Sequence, residues 1–433
     1  MAAGETQQAI EAVFRIERAR LIAGLARFSG SVDLAEEMAQ DALVIALSEW
    51  PRTGVPANPG AWLTTAAKRR TIDAVRRDRM RERKHAEIAQ ELEGEVDGGL
   101  DSGPDGGEGG AAPGEDPGDE LLGLIFTACH PIMSPDARAA LTLRVVGGLT
   151  TDEIARAFLS SEVTIAQRIV RAKKTIARAG LSFEVPRGPE RAARRASVLE
   201  VIYLIFNEGY AATAGDDLVR PGLCLEAQRL GRMLAALMPD DPEVFGLLAL
   251  MEIQASRLPA RTAPDGAAVP LPEQNRARWD QLLIRRGLDA LARAETLARE
   301  TLAQPAGGEG PYALQAALAA CHARAITAVD TDWPRIAGLY DRLRAAMPSP
   351  VVDLNRAVAH SMAFGPERGL TLLDQIADAE LLRNYAPLPA ARGDFLLRAG
   401  RPAEARAEFE VAAGLSRNAA ERAFLLARAA ACD

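Results

Sequence analysis

Between Glu91 and Asp119 the chain reads ELEGEVDGGLDSGPDGGEGGAAPGEDPGD, with no lysine or arginine and almost no large apolar side chain. Such a tract cannot bury enough surface to offset the entropy lost on ordering, so it is expected to be a disordered acidic linker over 91–118. Whatever folds must fold on either side of it, as bodies free to move relative to one another. With 433 residues the chain has room for roughly two to four such units. Aromatic residues supply only 5% of a chain that is 48% hydrophobic, and alanine and leucine dominate, which favours packed helices over sheets. The expected class is all-α.

Helical spacing places Ile10, Val13, Phe14, Leu21 and Leu25 on one stripe and Leu34, Met38, Leu43 and Leu47 on a second. Ser31 or Asp33 can cap the second helix, with Glu36 and Glu37 in its first turn. Trp50-Pro51 is expected to stop it, and PRTGVPANPG to keep the backbone out of helix until Ala61 or Trp62. The helix that follows, WLTTAAKRRTIDAVRRDRMRERK, carries nine basic residues from Lys68 to Lys84 against Asp73, Asp78 and Glu82. The formal net charge of −8 therefore does not oppose a polyanionic partner, because phosphate binding depends on where the positive charge lies. Trp62 reads either as a core anchor or as a platform for a base.

Past the linker, Ser134-Pro135-Asp136 opens a helix that ends at Gly147-Gly148, and Thr150 with Glu153 forms a capping box. A turn at Leu159-Ser160-Ser161 leads into a last helix to about Ala179, with Ile165, Ile169 and Ile176 inward and Gln167, Arg168, Arg171, Lys173 and Lys174 outward. This is the pattern of a helix-turn-helix whose second helix enters a major groove. Gln167 and Arg168 are best placed for base edges, and Arg171, Lys173 and Lys174 for phosphates. Beyond Pro189 the chain becomes helix pairs, the clearest broken at Gly400-Arg401-Pro402 and an earlier one at Gly365-Pro366, as in tetratricopeptide-type stacking.

Catalytic chemistry has little foothold. His85, His130, His322 and His360 show no HExxH spacing, and Cys129-His130 and Cys321-His322 are adjacent pairs ill suited to one metal. No phosphate loop, dinucleotide fingerprint or nucleophile elbow is present in the sequence. No enzyme activity, metal or cofactor is therefore expected. Four cysteines without CxxC and no secretory signal imply a reducing cytoplasm. The runs Val198 to Phe206 and Val244 to Ile253 are far shorter than the roughly 20 residues of a membrane span.

The segments DLAEEMAQDALVIALSEW (33–50), AWLTTAAKRRTIDAVRRDR (61–79) and LTTDEIARAFLSSEVTIAQRIVRAKKTI (149–176) resemble regions 2.2, 2.3/2.4 and 4 of bacterial sigma factors of the extracytoplasmic-function group. FNEGYAATAGDDLVRPGLCLEAQRL (206–230) and EQNRARWD (273–280) are similar to the subgroup with a long tetratricopeptide-like extension. The resemblance implies a region 2 bundle at 5–90, the linker, region 4 at 119–185 and the extension at 190–433. It implies that Glu37, Gln40 and Asp41 bind core RNA polymerase at the β′ clamp coiled coil, with β as a further contact. It implies that the 51–60 loop, Trp62, Lys68, Arg69, Arg70, Arg76 and Arg77 serve the −10 element of promoter DNA, and that Thr164, Gln167, Arg168, Arg171, Lys173 and Lys174 serve the −35 element. Lys68-Arg69-Arg70 stands where the family usually has an ARN triplet, which bears on −10 preference. The extension is implied to contact the sigma units in place of a separate inhibitor. An alternative from another class is a polymerase-independent helix-turn-helix regulator with a tetratricopeptide-like sensor.

Overall fold

The computed structural model describes residues 3–92, 117–158, 160–210, 219–263, 269–301, 310–376, 380–416 and 419–432. Residues 93–116, which carry most of the expected linker, lie outside the described residues, as do the side chains of 81–92. The chain divides into two units, Met1–Ala155 with Ser160–Val201 and Arg156–Leu159 with Ile202–Asp433. Among the described residues the long elements are all helices, as composition predicts.

The first unit contains α1 (Ala3–Ser29), α2 (Val32–Thr53), α3 (Pro59–Leu92), α4 (Pro117–Ala128), α5 (Pro135–Thr142), most of α6 (Thr151–Ala157), α7 (Glu162–Arg178) and the start of α8 (Gly188–Tyr210). Alanine, more than leucine, decides where these helices touch. On α2 the buried seam is Val32, Ala35, Met38, Ala39, Ala42, Ala46 and Trp50, and the expected Leu34, Leu43 and Leu47 are only half-buried beside it. Small side chains let α1 and α3 approach closely, so the leucines cover the flanks of the contact rather than its centre.

Ser31 caps α2 by accepting from the Leu34 amide at 3.3 Å. The helix does not stop at Trp50-Pro51. Trp50 is 1% exposed and edge-on to Trp62 at 5.2 Å, and that anchoring carries the backbone through Pro51 for one more exposed turn. Gly54 closes it, its amide donating to the Trp50 carbonyl at 2.9 Å. The next helix also begins earlier than its sequence suggests, at Pro59, because Asn58 supplies the cap through the Ala61 amide.

After α5 the chain continues as a π-helical turn, Leu143–Gly147, and leaves it at Gly148 with φ of 77°, a left-handed value suited to glycine. The N-terminal part of α8 packs within this same unit. Ser197 donates to the Cys129 carbonyl and accepts from Arg138, while Arg194 donates to the Phe126 carbonyl at 3.0 Å.

In the second unit the rest of α8 is followed by α9 (Pro221–Leu237), α10 (Pro242–Ala255), α11 (Gln281–Thr301), α12 (Pro311–Arg324), α13 (Trp333–Ala346), α14 (Pro350–Phe364), α15 (Pro366–Asp374), α16 (Pro387–Arg398), α17 (Pro402–Leu415) and α18 (Ala419–Ala430). Most of these open on proline, whose fixed φ suits a first helical position and whose missing N–H costs nothing there. Consecutive helices pack against one another from α9 onward. From α14 to α18 they share one core that includes Leu354, Leu373, Phe395, Phe409 and Leu425. The expected breaks at Gly365-Pro366 and Gly400-Arg401-Pro402 are the turns between α14 and α15 and between α16 and α17. On α10, Glu243 turns its carboxylate onto the start of α12, accepting from the Tyr312 and Ala313 amides at 3.0 Å each. That anion complements the helix dipole as well as two free donors.

These packings fix what an added methyl group would meet. A Cβ on Gly123 of α4 would sit 2.1 Å from the Phe183 carbonyl oxygen, so Gly123→Ala is expected to lose about 1–3 kcal/mol in urea unfolding. Gly338 of α13 faces open space, and Gly338→Ala is expected to gain about 0.5–1 kcal/mol instead. In the second unit, burial and then the Arg257 and Arg276 guanidiniums pull the His322 imidazole from 6.5 down to about 4. Between those values the unfolded chain takes up a proton that the folded chain refuses, so stability falls as pH drops through the window. The urea midpoint should decline more steeply from pH 6.5 to 4 in the native chain than in His322→Gln.

Candidate nucleic-acid interface

The helix-turn-helix is built locally. The Thr150 amide donates to the Glu153 carboxylate at 2.7 Å and the Glu153 amide to Thr150 Oγ1 at 3.1 Å, completing the expected box at the start of α6. Ser161 caps α7 through the Thr164 amide at 3.1 Å, and its hydroxyl also meets Thr164 Oγ1 at 2.7 Å. Ile165, Ile169, Ala172 and Ile176 form the buried stripe of α7, which packs on α5. The opposite face exposes Gln167, Arg171 and Lys174. Thr164 and Arg168 are half-buried, and Arg168 reaches Asp136 of α5 at 3.4 Å.

Lys173 is the exception to the outward orientation expected of it. Its side chain is 12% exposed and its Nζ lies 2.7 Å from Asp33 and 2.6 Å from Glu36, both on α2. Glu36 also binds Arg18 of α1 at 2.8 Å and Arg144 of the π-helical turn at 3.2 Å. Arg18 further donates to the Arg144 carbonyl at 2.7 Å. Helical periodicity turns Lys173 away from the apolar stripe, but a neighbouring acidic helix, invisible to that periodicity, receives it. Sequence reasoning passed over Glu36, Arg18 and Arg144 as contributors. One signal was present: Arg18 follows Phe14 by four residues and precedes Leu21 by three, so a charge sits on an otherwise apolar stripe.

On α3, Lys68, Arg69, Arg76 and Arg77 are exposed, and Arg77 Nε donates to the Asp73 carbonyl at 3.2 Å. Trp62 is half-buried against Trp50. Arg70 pairs with Asp41 of α2 at 2.6 Å, joining a residue expected to serve DNA to one expected to serve polymerase. Glu37 and Gln40 stand exposed on α2 near Asp41. The side chains of Arg81, Arg83 and Lys84, like that of Arg79, lie outside the described residues.

The first unit thus presents two basic helical faces, on α3 and α7, and an acidic helix, α2, that precedes both in sequence, an arrangement whose exposed cations suit a polyanionic partner. Comparison with known families supplies the rest. The sigma-70 region 2 family matches residues 13–81, the sigma-70 region 4 family matches 124–176, and a family of unknown function matches 194–295. An uncharacterised protein of Rhizobium meliloti (strain 1021) is 41% identical over 94% of this chain and 92% of its own length. No solved structure matches. The chain carries sigma-70 regions 2 and 4 followed by a C-terminal extension, the make-up of a sigma factor like those of the extracytoplasmic-function type.

No group of three or more His, Cys, Asp or Glu among the described residues could hold a metal, and none of their helices is long and apolar enough to cross a membrane. The Glu36 cluster makes a direct prediction. Glu36→Gln removes the carboxylate that faces three cations, so it should destabilise the first unit by about 2 kcal/mol, read as an earlier urea transition.

Proposed function

We propose that this chain binds core RNA polymerase, directs it to particular promoters, and is regulated through its C-terminal extension, acting in the cytoplasm without enzymatic activity of its own. The observation that carries this reading is the pairing of two exposed basic faces, Lys68, Arg69, Arg76 and Arg77 on α3 and Gln167, Arg171 and Lys174 on α7, within matches to regions 2 and 4. In the proposal α3, with Trp62 and Arg70, serves the −10 element. Gln167 and Arg168 read bases of the −35 element, Thr164 sits at the start of that reading helix, and Arg171, Lys173 and Lys174 hold phosphates. Glu37, Gln40 and Asp41 form the polymerase contact, where an acidic helix suits a basic partner.

The Arg70–Asp41 pair bears on how such a factor would work, since it joins a proposed DNA group to a proposed polymerase group. In our reading polymerase takes over Asp41 and sets Arg70 free for promoter DNA, whereas Lys173 reaches a phosphate only by leaving Asp33 and Glu36. The proposed extension begins near residue 190, yet Arg194 and Ser197 of α8 hold groups of the first unit. Removing everything after 190 would therefore disturb region 4 as well as regulation, and a truncation after Tyr210 is the cleaner comparison.

In vitro transcription with purified core polymerase on genomic fragments tests the whole proposal. Discrete run-off products should require both core enzyme and this chain. Gln167→Ala should change which promoters are used, whereas Arg171→Ala should weaken all of them and lower the salt slope of DNA binding by about 0.9. Footprinting of promoters by the chain alone, or run-off unaltered by either variant, would refute the assignment. Truncation after Tyr210 should move the output up or down, and an unchanged output would remove the extension from the mechanism.

A further inference from the structure

The second unit gathers three arginines that form no ion pair among the described residues. Arg257 follows α10, Arg261 closes the short turn Leu258–Ala260, and Arg276 opens another, Arg276–Arg278. The guanidinium of Arg261 lies over the Tyr210 ring, 3.8 Å from its centre, and donates to the Tyr210 carbonyl at the end of α8. That of Arg276 lies 4.9 Å from the centre of the Trp279 ring and donates to the His322 and Ala325 carbonyls, 2.6 and 2.7 Å away, at the end of α12. Each of these two is therefore met by the negative end of a helix dipole. Arg257 sits between them with less. It donates to the Tyr210 hydroxyl and lies 5.7 and 6.0 Å from the Tyr210 and Trp279 rings, and no ion pair is formed by any of the three among the described residues.

Bringing like charges together in a partly buried place is unfavourable unless an anion compensates them. Here the compensation stops short of what three guanidiniums can use. The buried Nε atoms of Arg257 and Arg276 and the indole Nε1 of Trp279, a residue 3% exposed, have no acceptor among the described residues. Burial above all pulls the Arg261 and Arg276 guanidiniums below their ordinary range, and the charge of Arg257 adds to it in both, against an opposing effect of Tyr210 on Arg261 and of Asp330 on Arg276. His322 is kept neutral by the same surroundings, so it adds no fourth charge at neutral pH. The acid that acts on the cluster is Asp330, which faces Arg276 from an exposed position.

We propose that Arg257, flanked by Arg261 and Arg276 and walled by Tyr210 and Trp279, binds a small oxyanion-bearing molecule, a phosphate or a carboxylate. Planar guanidiniums with unused N–H edges match either oxyanion bidentately, and the two rings favour a ligand with a flat or apolar body beside its charge. Residues 194–295, the stretch matched by a family of unknown function, contain all three arginines and both rings. The proposal does not depend on the transcriptional role and can fail or hold separately from it.

Three acids close by in sequence lie outside the described residues: Asp216 and Asp217, which follow Tyr210, and Asp265, which follows Arg261 by four positions. The test separates a diffusible anion from these side chains of the chain itself. Full-length protein is titrated calorimetrically with inorganic pyrophosphate and, separately, with citrate, against sodium chloride of equal ionic strength, and thermal unfolding is followed in parallel. Saturable binding of at least one oxyanion at millimolar concentration or below is expected, with a rise in melting temperature that chloride does not give. Arg257→Met should weaken binding tenfold or more, Arg257→Lys should weaken it less, and Arg392→Met, distant in the chain and paired with Asp374, should leave it intact. If Arg257→Met does not fold, the comparison between Arg257→Lys and the native chain decides, and equal affinity overturns the proposal. Binding that appears only after Asp216→Asn with Asp217→Asn, or only after Asp265→Asn, would assign the site to the chain's own acids and overturn it, as would no saturable binding in any of these proteins.

Discussion

Glu36 takes charge from three separate elements: Arg18 of α1, Arg144 of the π-helical turn and Lys173 of α7. The carboxylate is 12% exposed, so water does little to replace a lost partner, and Asp33 shares only Lys173 with it. Such a group fixes orientation more than it adds net stability, because desolvating four charges consumes much of what their attraction supplies. What it secures is register. Helix α2 must present its first turn toward α7 for the cluster to close, and the alanine seam running beside Glu36 then meets α1 and α3.

The two basic faces differ in what this arrangement leaves available. On α3 the exposed cations stand apart from the Glu36 cluster, and only Arg70 is tied to α2, through a pair half open to solvent that salt will weaken. On α7 the helix divides its own charge. Gln167, Arg171 and Lys174 face solvent, whereas Lys173, one position from Lys174, is drawn into the unit. A step of about 100° per residue is enough to send adjacent lysines to different environments. The same helix can therefore meet DNA with one edge while another edge holds the protein's own acids.

How much of this was legible in the sequence follows from the distance over which each feature is decided. The capping box at Thr150 and Glu153, and the breaks at Gly365 and Gly400, depend on a few neighbouring residues and were readable, whereas Ser161 read only as part of a turn and proves to cap α7. Helix ends were less so: Pro51 reads as a stop, and only the burial of Trp50 against distant side chains explains why α2 continues. Periodicity also overrated the leucines of α2, since which side of an apolar stripe forms its centre depends on how closely partner helices come. Lys173 was beyond reach, because the partners that reorient it are about 140 positions earlier in the chain. The candidate DNA residues were legible as types on a helical face, and their degree of engagement was not.

Arg257, Arg261 and Arg276 are the opposite case to Glu36, and the contrast shows what a compensated cluster requires. Around Glu36 the cations come from three elements and an anion stands among them, so every charge has a counterpart within 3.2 Å. Around Arg257 the cations also come from separate turns, but ring faces and helix-end carbonyls stand in for the anion. Cation–π contact recovers only about 0.5–2 kcal/mol per pair, and a helix dipole about as much, well short of a fully satisfied ion pair in a partly buried place. The Nε atoms of Arg257 and Arg276 are left buried with no acceptor among the described residues. Structural need accounts for Arg261 and Arg276, each of which ends a helix; it does not account for Arg257, whose position makes sense when an oxyanion completes it.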